Sequence, residues 1–290
     1  MVRAGVLIYC AHSPRPGGPA RPARYDDAMN EPDKAEAAQK GAAPRSGESR
    51  VAFFGGSFDP PHLGHLAVAR AAQAAFALDA VLFAPVGMQP LKPGGPIASF
   101  ADRLAMTQLA IADQPRFEIS LADAPKSPDA LRLADSGQSA PNYTIDTLKR
   151  LRTSLAPGST LFCLMGADSF LGLRQWHRAA EIPFVAPLIV ASRPGQPLED
   201  LKAALPAGID VETAPQGETS ESGVEVSAFL LVNEAGVRAP LYVLPGLHVE
   251  ISASDIRAQI YAASGSSAAE SDFVPAAVRD YIAKRGLYRS

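Results

Sequence analysis

Two histidines lie three residues apart in the string GGSFDPPHLGH, which occupies residues 55–65. Gly55 and Gly56 can turn the backbone sharply and let it approach a ligand closely, because glycine has no side chain. His62 and His65 follow at the predicted start of a helix, where unpaired N–H groups and the helix dipole favour an anion. Imidazole N–H groups can also donate hydrogen bonds to phosphate oxygens. The pattern therefore favours binding of a nucleoside triphosphate.

Other chemistries of this string are less favoured. Histidines spaced HxxH can bind a metal, but no third Cys, His or carboxylate stands at a telling distance, so no protein metal site is predicted. The string also lacks the G-x-G-x-x-G fingerprint of dinucleotide-binding folds and the GK[ST] ending of a P-loop. Either histidine alone would more often be structural.

A second motif, ISASDIR, occupies residues 251–257. Ser252 and Asp255 form a capping-box pattern, which places Ser254 and Arg257 near the start of a helix. The planar fork of donors on arginine matches phosphate oxygens. An ordinary helix cap with a solvated arginine would be preferred if this stretch stood alone, but two such motifs in one chain favour a shared phosphate site.

The composition excludes several classes of protein. Of the 290 residues, 47% are hydrophobic and 20% charged, and the formal net charge is -3. This balance argues against a general nucleic-acid binder, which carries a basic excess. No apolar stretch approaches the roughly 20 residues that a membrane helix needs. Two cysteines, Cys10 and Cys163, cannot form a disulfide framework, so we expect a reducing, cytoplasmic location.

Residues 1–50 differ in composition from the rest of the chain. They are rich in Ala, Pro and charged residues without a periodic apolar face, so we expect a disordered extension. The first residues, MVRAGVLIYCA, resemble a signal peptide only weakly, and Met29 is an alternative start. We expect residues 51–290 to form one domain.

Within residues 51–290, short apolar runs alternate with helix-like segments, which implies an α/β fold with a doubly wound parallel sheet. Residues 195–245 are rich in Gly, Pro, Glu and Ser before they turn apolar, and we interpret them as a surface insertion with a hairpin. Strands are predicted at 51–54, 80–85, 117–121, 160–166 and 187–192, and helices at 65–79, after the capping box at Ser99, at 144–155 and between Pro275 and Gly286.

The two motifs resemble a known superfamily. GGSFDPPHLGH resembles the signature of the nucleotidyltransferases with the [HT]-x-G-H motif, and ISASDIR resembles their second motif. The strings ADRLAMTQLAIAD, NYTIDTLKRL, LMGADSFLGLRQWHRAAEI, LIVASRPG and VPAAVRDYIAKRGLYRS are similar, in order, to the bacterial nicotinate-nucleotide adenylyltransferase family. The resemblance covers nearly all of 51–290 and none of 1–50. It implies a Rossmann-like nucleotidyltransferase fold.

The resemblance also implies a reaction. Such an enzyme joins AMP from ATP to nicotinate mononucleotide, with Mg²⁺ bridging the phosphates of ATP, and releases pyrophosphate. Rivals are nicotinamide mononucleotide or phosphopantetheine as acceptor, or a non-catalytic nucleotide-binding regulator. We expect no nucleic-acid or membrane partner, and the sequence leaves the oligomeric state open.

The resemblance gives several further residues a role that chemistry also permits. Asp168 follows a predicted strand, where a carboxylate could accept from ribose hydroxyls or cap a helix. Thr144 is implied to hold the nicotinate carboxylate and could otherwise cap a helix. Trp176, the single tryptophan, is implied to stack on the pyridine ring, although burial statistics alone favour a core position. Lys92 could meet a phosphate or be simply solvated.

Together these arguments select fifteen site residues. The family often carries Pro-Pro-His-Lys where this chain has Leu91 before Lys92, so one phosphate or substrate contact could be missing, and Asn142 stands where a small hydroxyl residue is commoner. The predicted catalytic residues are His62, His65 and Arg257; the predicted ATP-binding residues are Gly55, Gly56, Ser57, Phe58, Gly64, Gly166, Asp168 and Ser254; and the predicted substrate-binding residues are Lys92, Tyr143, Thr144 and Trp176.

Overall fold

The computed structural model describes residues 47–88, 91, 95–125, 141–192, 202–213, 224, 226–244, 252–262 and 272–289. The disorder predicted for residues 1–50 lies almost wholly outside the described residues and stays a prediction. The first strand begins at Arg50, and Ser49 is already buried with its N–H donating to Ser159 Oγ at 3.1 Å. The described fold therefore begins slightly before the predicted boundary at residue 51.

Eight strands form one sheet in the order β3-β2-β1-β4-β5-β8-β7-β6. The first six in this order are parallel to their neighbours, whereas β7 pairs antiparallel with both β8 and β6. With β8 as the sixth parallel strand, the order matches the Rossmann arrangement, as predicted. The strands are β1 Arg50–Gly56, β2 Ala80–Pro85, β3 Phe117–Ile119, β4 Thr160–Gly166, β5 Leu188–Ala191, β6 Ile209–Thr213, β7 Ser227–Asn233 and β8 Arg238–Leu244.

Helices cover both faces of the sheet. Alternate residues of β1 point to opposite faces of the sheet and pack in two separate cores. Ala52 and Phe54 belong to the first core, and Val51 and Phe53 belong to the second. This burial on both faces explains why the central strands are continuous apolar runs. The helices are α1 Leu63–Ala75, α2 Phe100–Ile111, α3 Thr144–Ser154, α4 Ala167–Leu171, α5 Ile182–Val185, α6 Ala253–Ala262 and α7 Ala276–Arg285. Helices α1, α2, α6 and α7 contribute to the first core, and α3, α4 and α5 contribute to the second.

Two predicted helix ends are confirmed, at Ser99 and Gly286, and two predicted starts differ from the structure by one or two residues. Ser99 Oγ accepts from the backbone N–H of Asp102 at 3.1 Å at the start of α2. Gly286 ends α7 with a left-handed φ of 65°, and Pro275 directly precedes that helix. Helix α1 begins at Leu63, two residues before the predicted start, and therefore contains His65 in its first turn.

Residues 238–244, within the segment interpreted as an insertion, belong to the parallel part of the sheet. Strand β8 pairs parallel with β5, Leu241 lying opposite Leu188, and both side chains are fully buried. Strands β7 and β8 do form the predicted hairpin, with Asn233 Oδ1 accepting from two turn N–H groups. These strands continue the sheet because their apolar residues pack on the second core. The Gly- and Ser-rich residues that precede them lie mostly outside the described residues.

Within the described residues, no helix is both long and apolar enough to cross a bilayer.

Candidate active site

A cleft of about 670 Å³ lies at the carboxyl ends of β1 and β4, the two neighbouring strands between which the order of the strands reverses. Ligands of open α/β sheets bind at this switch point, because the connections leave opposite faces there. Lys92 lies outside the described residues. The cleft is lined by the other fourteen predicted residues, Gly55, Gly56, Ser57, Phe58, His62, Gly64, His65, Tyr143, Thr144, Gly166, Asp168, Trp176, Ser254 and Arg257.

The end of β1 supplies a turn with no room for side chains. A Cβ atom on Gly55 would lie 2.8 Å from the Phe53 ring, and one on Gly56 would lie 3.2 Å from the Phe58 ring. Phe58 itself has a left-handed φ of 47°, which aims its ring into the core against Phe54 and His65. Phe58 also lines the cleft, and its ATP contact stays a prediction.

His62 and His65 stack on each other at the start of α1, with ring centroids 3.7 Å apart. The backbone N–H of His62 donates to Nδ1 of His65 at 3.2 Å. Because Nδ1 accepts this bond, a neutral His65 carries its proton on Nε2. That leaves His65 Nε2–H as the donor on the other edge of the ring, and the ring lines the cleft.

His62 is buried beneath its partner. Burial lowers its pKa to about 4, so the ring is neutral at physiological pH. Its Nδ1 finds no hydrogen-bond partner among the described residues. Buried polar atoms in proteins usually have a hydrogen-bond partner. A phosphate oxygen that enters the cleft could accept a hydrogen bond from an Nδ1–H group of His62 and so provide that partner.

Arg257 reaches from α6 to the loop that follows β1. Its Nη1 donates to the backbone oxygen of Asp59 at 2.7 Å, and its Nη2 donates to Ser254 Oγ at 3.1 Å. The predicted cap exists, with Ser252 Oγ accepting from the N–H of Asp255. The two motifs thus meet at one wall of the cleft, although almost 200 residues separate Asp59 from Arg257.

Arg103 is a residue that sequence reasoning missed. It is only 1% exposed, and its guanidinium donates to the carbonyls of Ser57 at 2.7 Å, Val86 at 2.8 Å and Ala98 at 3.3 Å. These carbonyls belong to the turn after β1 and to both ends of the β2–α2 connection. Arg103 therefore connects the glycine turn after β1 to the connection between β2 and α2. A single arginine within a helix has no sequence pattern that would predict this role.

Asp123 is a second missed residue. It is buried, lines the cleft and accepts a hydrogen bond from the Thr147 hydroxyl. Burial raises its pKa to about 6, against the opposing effects of Thr147 and Arg150. Burial, with a further contribution from Asp123, also raises the pKa of the Cys163 thiol to about 12. Cys163 therefore stays protonated and is not a nucleophile.

Asp123 predicts a dependence of stability on pH. The carboxyl keeps its proton to higher pH in the folded state than in the unfolded state, so the stability that it contributes is present below about pH 4 and is lost as the pH rises to about 6. The loss is on the order of 2–3 kcal/mol. We therefore expect Asp123→Asn to gain that much relative to the wild type between pH 4 and pH 7. Urea unfolding of both proteins across this range measures the difference, and parallel stability profiles would contradict the prediction.

Aromatic side chains other than the two motif histidines also line the cleft. Tyr143 directly precedes α3 and stacks on His177 with centroids 4.2 Å apart. Trp176 is partly buried against the second core and also lines the cleft, so the core position and the ligand position are compatible. His177 was missed, although it follows Trp176 in a string whose resemblance was recognised.

The strand ends position the remaining predicted residues. Gly166 ends β4, and Asp168 lies exposed in the first turn of the short α4. Asn142, which departs from the family pattern, accepts a hydrogen bond at its Oδ1 from the N–H of Met88 at 3.3 Å. The side chain therefore holds the loop after β2. Among the described residues, no group of three or more His, Cys, Asp or Glu could hold a metal ion.

Comparison with known proteins defines the class. The cytidylyltransferase-like family model matches residues 53–259, which span both phosphate motifs. The chain therefore belongs to the cytidylyltransferase-like family of nucleotidyltransferases.

Curated relatives narrow this class. The chain is 38% identical over 240 residues to a Stenotrophomonas maltophilia protein named nicotinate-nucleotide adenylyltransferase, covering 82% of this chain and 96% of the relative. A Thermus thermophilus protein of the same name is 36% identical over 240 residues, covering 83% of this chain and 100% of the relative. Within its class, the chain is thus a member of the nicotinate-nucleotide adenylyltransferase family.

A solved structure supports the fold. The Plasmodium falciparum nicotinic acid mononucleotide adenylyltransferase, complexed with NaAD, superposes with a TM-score of 0.56 at 17% identity. The match covers 83% of this chain and 98% of the other. At this identity the likeness concerns the fold alone.

Proposed function

We propose that this cleft transfers the adenylyl group of ATP to nicotinate mononucleotide, giving nicotinate adenine dinucleotide and pyrophosphate in NAD biosynthesis. The observation that carries the proposal is the convergence of the stacked pair His62 and His65 with Arg257 on one wall of a cleft that aromatic side chains also line. The names of the curated relatives and the NaAD complex of the Plasmodium enzyme support this choice of acceptor.

The reaction is a displacement at phosphorus. A phosphate oxygen of the acceptor attacks the α-phosphorus of ATP, a new P–O bond forms, and the bond to the departing pyrophosphate breaks. Such a transfer depends on positioning and on stabilising charge, with little covalent work for the protein. No nucleophile is needed, which is compatible with the high pKa of Cys163.

We assign the triphosphate to the wall formed by the two motifs. His65 Nε2–H donates to a phosphate oxygen as negative charge develops on the leaving group, and the buried His62 adds a second contact. Arg257, Ser254 and Ser57 steady the β- and γ-phosphates, and the backbone of Gly55, Gly56, Phe58 and Gly64 provides the close approach.

We assign the acceptor to the part of the cleft that Trp176, Tyr143 and Thr144 line. Trp176 stacks on the pyridine ring, and Thr144 with Tyr143 meets the nicotinate carboxylate at the start of α3. Asp168, next to Gly166, accepts from ribose hydroxyls. Lys92 stays a proposed phosphate contact.

We propose Mg²⁺ as the accompanying cation. Because the described residues contain no metal-binding cluster, they fit a cation that is held by the phosphates of ATP. When bound, Mg²⁺ neutralises charge on those phosphates. We also infer a cytoplasmic location, with ATP and nicotinate mononucleotide as the partners.

A direct assay tests the function. Purified protein is mixed with ATP, Mg²⁺ and either nicotinate mononucleotide, nicotinamide mononucleotide or phosphopantetheine, and pyrophosphate release is followed. We expect release with nicotinate mononucleotide, together with the dinucleotide product, and none when EDTA replaces Mg²⁺. Faster release with another acceptor would overturn the proposed substrate. ATP binding without release from any acceptor would indicate a regulator.

A further inference from the structure

Tyr288, near the end of the chain, is buried against the first core. It is 7% exposed, and its hydroxyl donates to Asp59 Oδ1 at 2.7 Å. Its backbone takes a left-handed φ of 63°. This conformation is sterically unfavourable for a residue with a side chain, so the contacts of the ring and hydroxyl must outweigh its cost.

Asp59 connects Tyr288 to the triphosphate wall. Its carboxylate also accepts from the N–H groups of Ile97 at 2.7 Å and Ala98 at 3.1 Å. The same carboxylate lies 3.9 Å from Arg257 Nη1, while the backbone oxygen of Asp59 accepts from that atom at 2.7 Å. Ile97, Asp59 and Arg257 all line the cleft. One buried carboxylate therefore sets the positions of a cleft loop and of the arginine.

We propose that Tyr288 is a positioning residue for the triphosphate, acting through Asp59 on Arg257. The inference rests on the proposed function, because that function assigns Arg257 to the phosphates of ATP.

The physical reason is a competition for the arginine. Three donors without formal charge, the hydroxyl of Tyr288 and the N–H groups of Ile97 and Ala98, hold the Asp59 carboxylate while it stays 3.9 Å from Arg257. Burial and the charge of Asp59 raise the pKa of Tyr288, so the hydroxyl remains a donor. Without the hydroxyl, only the N–H groups of Ile97 and Ala98 hold the carboxylate, so it can turn toward the guanidinium and compete with phosphate for it.

The same segment offers a matched control. The hydroxyl of Tyr281 donates to Asp102 Oδ1 at 2.9 Å, and Arg285 Nε donates to the same oxygen at 3.1 Å. Neither Tyr281 nor Asp102 lines the cleft. Tyr281→Phe thus removes an equivalent hydroxyl-to-carboxylate bond that ties α7 to α2 but does not reach Arg257.

The test compares Tyr288→Phe with Tyr281→Phe in the full chain. Calorimetry measures ATP binding without acceptor, pyrophosphate release gives KM for each substrate, and thermal unfolding gives Tm. We expect Tyr288→Phe to weaken ATP binding and to raise the KM for ATP about 10–20-fold, the lower end of what one hydrogen bond to a charged group contributes, because the bond acts on ATP only through Arg257. The KM for nicotinate mononucleotide should stay within about twofold, and Tyr281→Phe should leave both constants within about twofold.

Several outcomes would overturn the proposal. ATP affinity of Tyr288→Phe within about twofold of wild type would do so. Equal losses of ATP affinity in the two variants, in proportion to Tm, would show a role in stability alone. If the wild type binds ATP but releases no pyrophosphate with any acceptor, the proposed function fails while the binding comparison still decides the role of Tyr288. A wild type that binds no ATP would overturn both.

Discussion

Replacing His65 by alanine is expected to lower kcat about 10²–10³-fold, the loss found when one preorganised donor to a developing charge is removed. The donor in question is Nε2–H, because Nδ1 of His65 accepts the N–H of His62. The ring also supports His62, its stacking partner. Pyrophosphate release at saturating substrates measures the effect.

His65→Gln provides the control for this change. Its amide can keep a donor on the cleft side and an acceptor for the His62 N–H, so we expect a smaller loss of kcat than in His65→Ala. Both variants should fold, since the bond to His62 contributes only about 1 kcal/mol. Turnover near that of the wild type in His65→Ala would remove His65 from the mechanism.

Replacing Arg103 by methionine is expected to lower the free energy of unfolding by about 3–5 kcal/mol, the second large effect. The substitution keeps most of the side-chain length but leaves the carbonyls of Ser57, Val86 and Ala98 without their donor. Carbonyls that stay buried without a partner carry the full cost of desolvation. Urea unfolding at neutral pH measures the change.

Two further variants make this result specific. Arg70→Met on α1 removes an exposed arginine that donates to Gln114, and it should cost less than about 1 kcal/mol. Arg103→Lys should recover little, because an ammonium group cannot reproduce the fork that reaches three separate carbonyls. If Arg103→Met were no more destabilising than Arg70→Met, the buried guanidinium would not be what holds the turn.

The sequence predicts the centre of the sheet well and its far half poorly. Strands β2 and β4 match their predicted bounds, because both are uninterrupted apolar runs buried on both faces. Strand β7 is only partly buried, and its neighbours in the sheet are defined by long-range pairing. Local patterns therefore showed a hairpin but not that β8 would extend the parallel sheet beside β5.

The site shows a similar difference between residues that local patterns predict and residues that only the tertiary structure brings together. Residues in glycine-rich motifs were found because their types and spacing indicate phosphate chemistry. Arg103 and Asp123 were missed, since an isolated charged residue is most often solvated and only the tertiary structure buries these two. The positive φ of Phe58 and the packing of its ring against Phe54 have no signature in the sequence.

The contacts of Asp59 also bear on how the site assembles. Its bonds to Arg257 and Tyr288 close loops of 198 and 229 residues. Closing loops of this length costs chain entropy, so other contacts must first bring these segments together before the two bonds add stability. All eight strands and the histidine motif precede Arg257 and Tyr288 in the chain, so the ribosome makes them first. A nascent chain can therefore form the sheet before Arg257 and Tyr288 are available to complete the triphosphate wall.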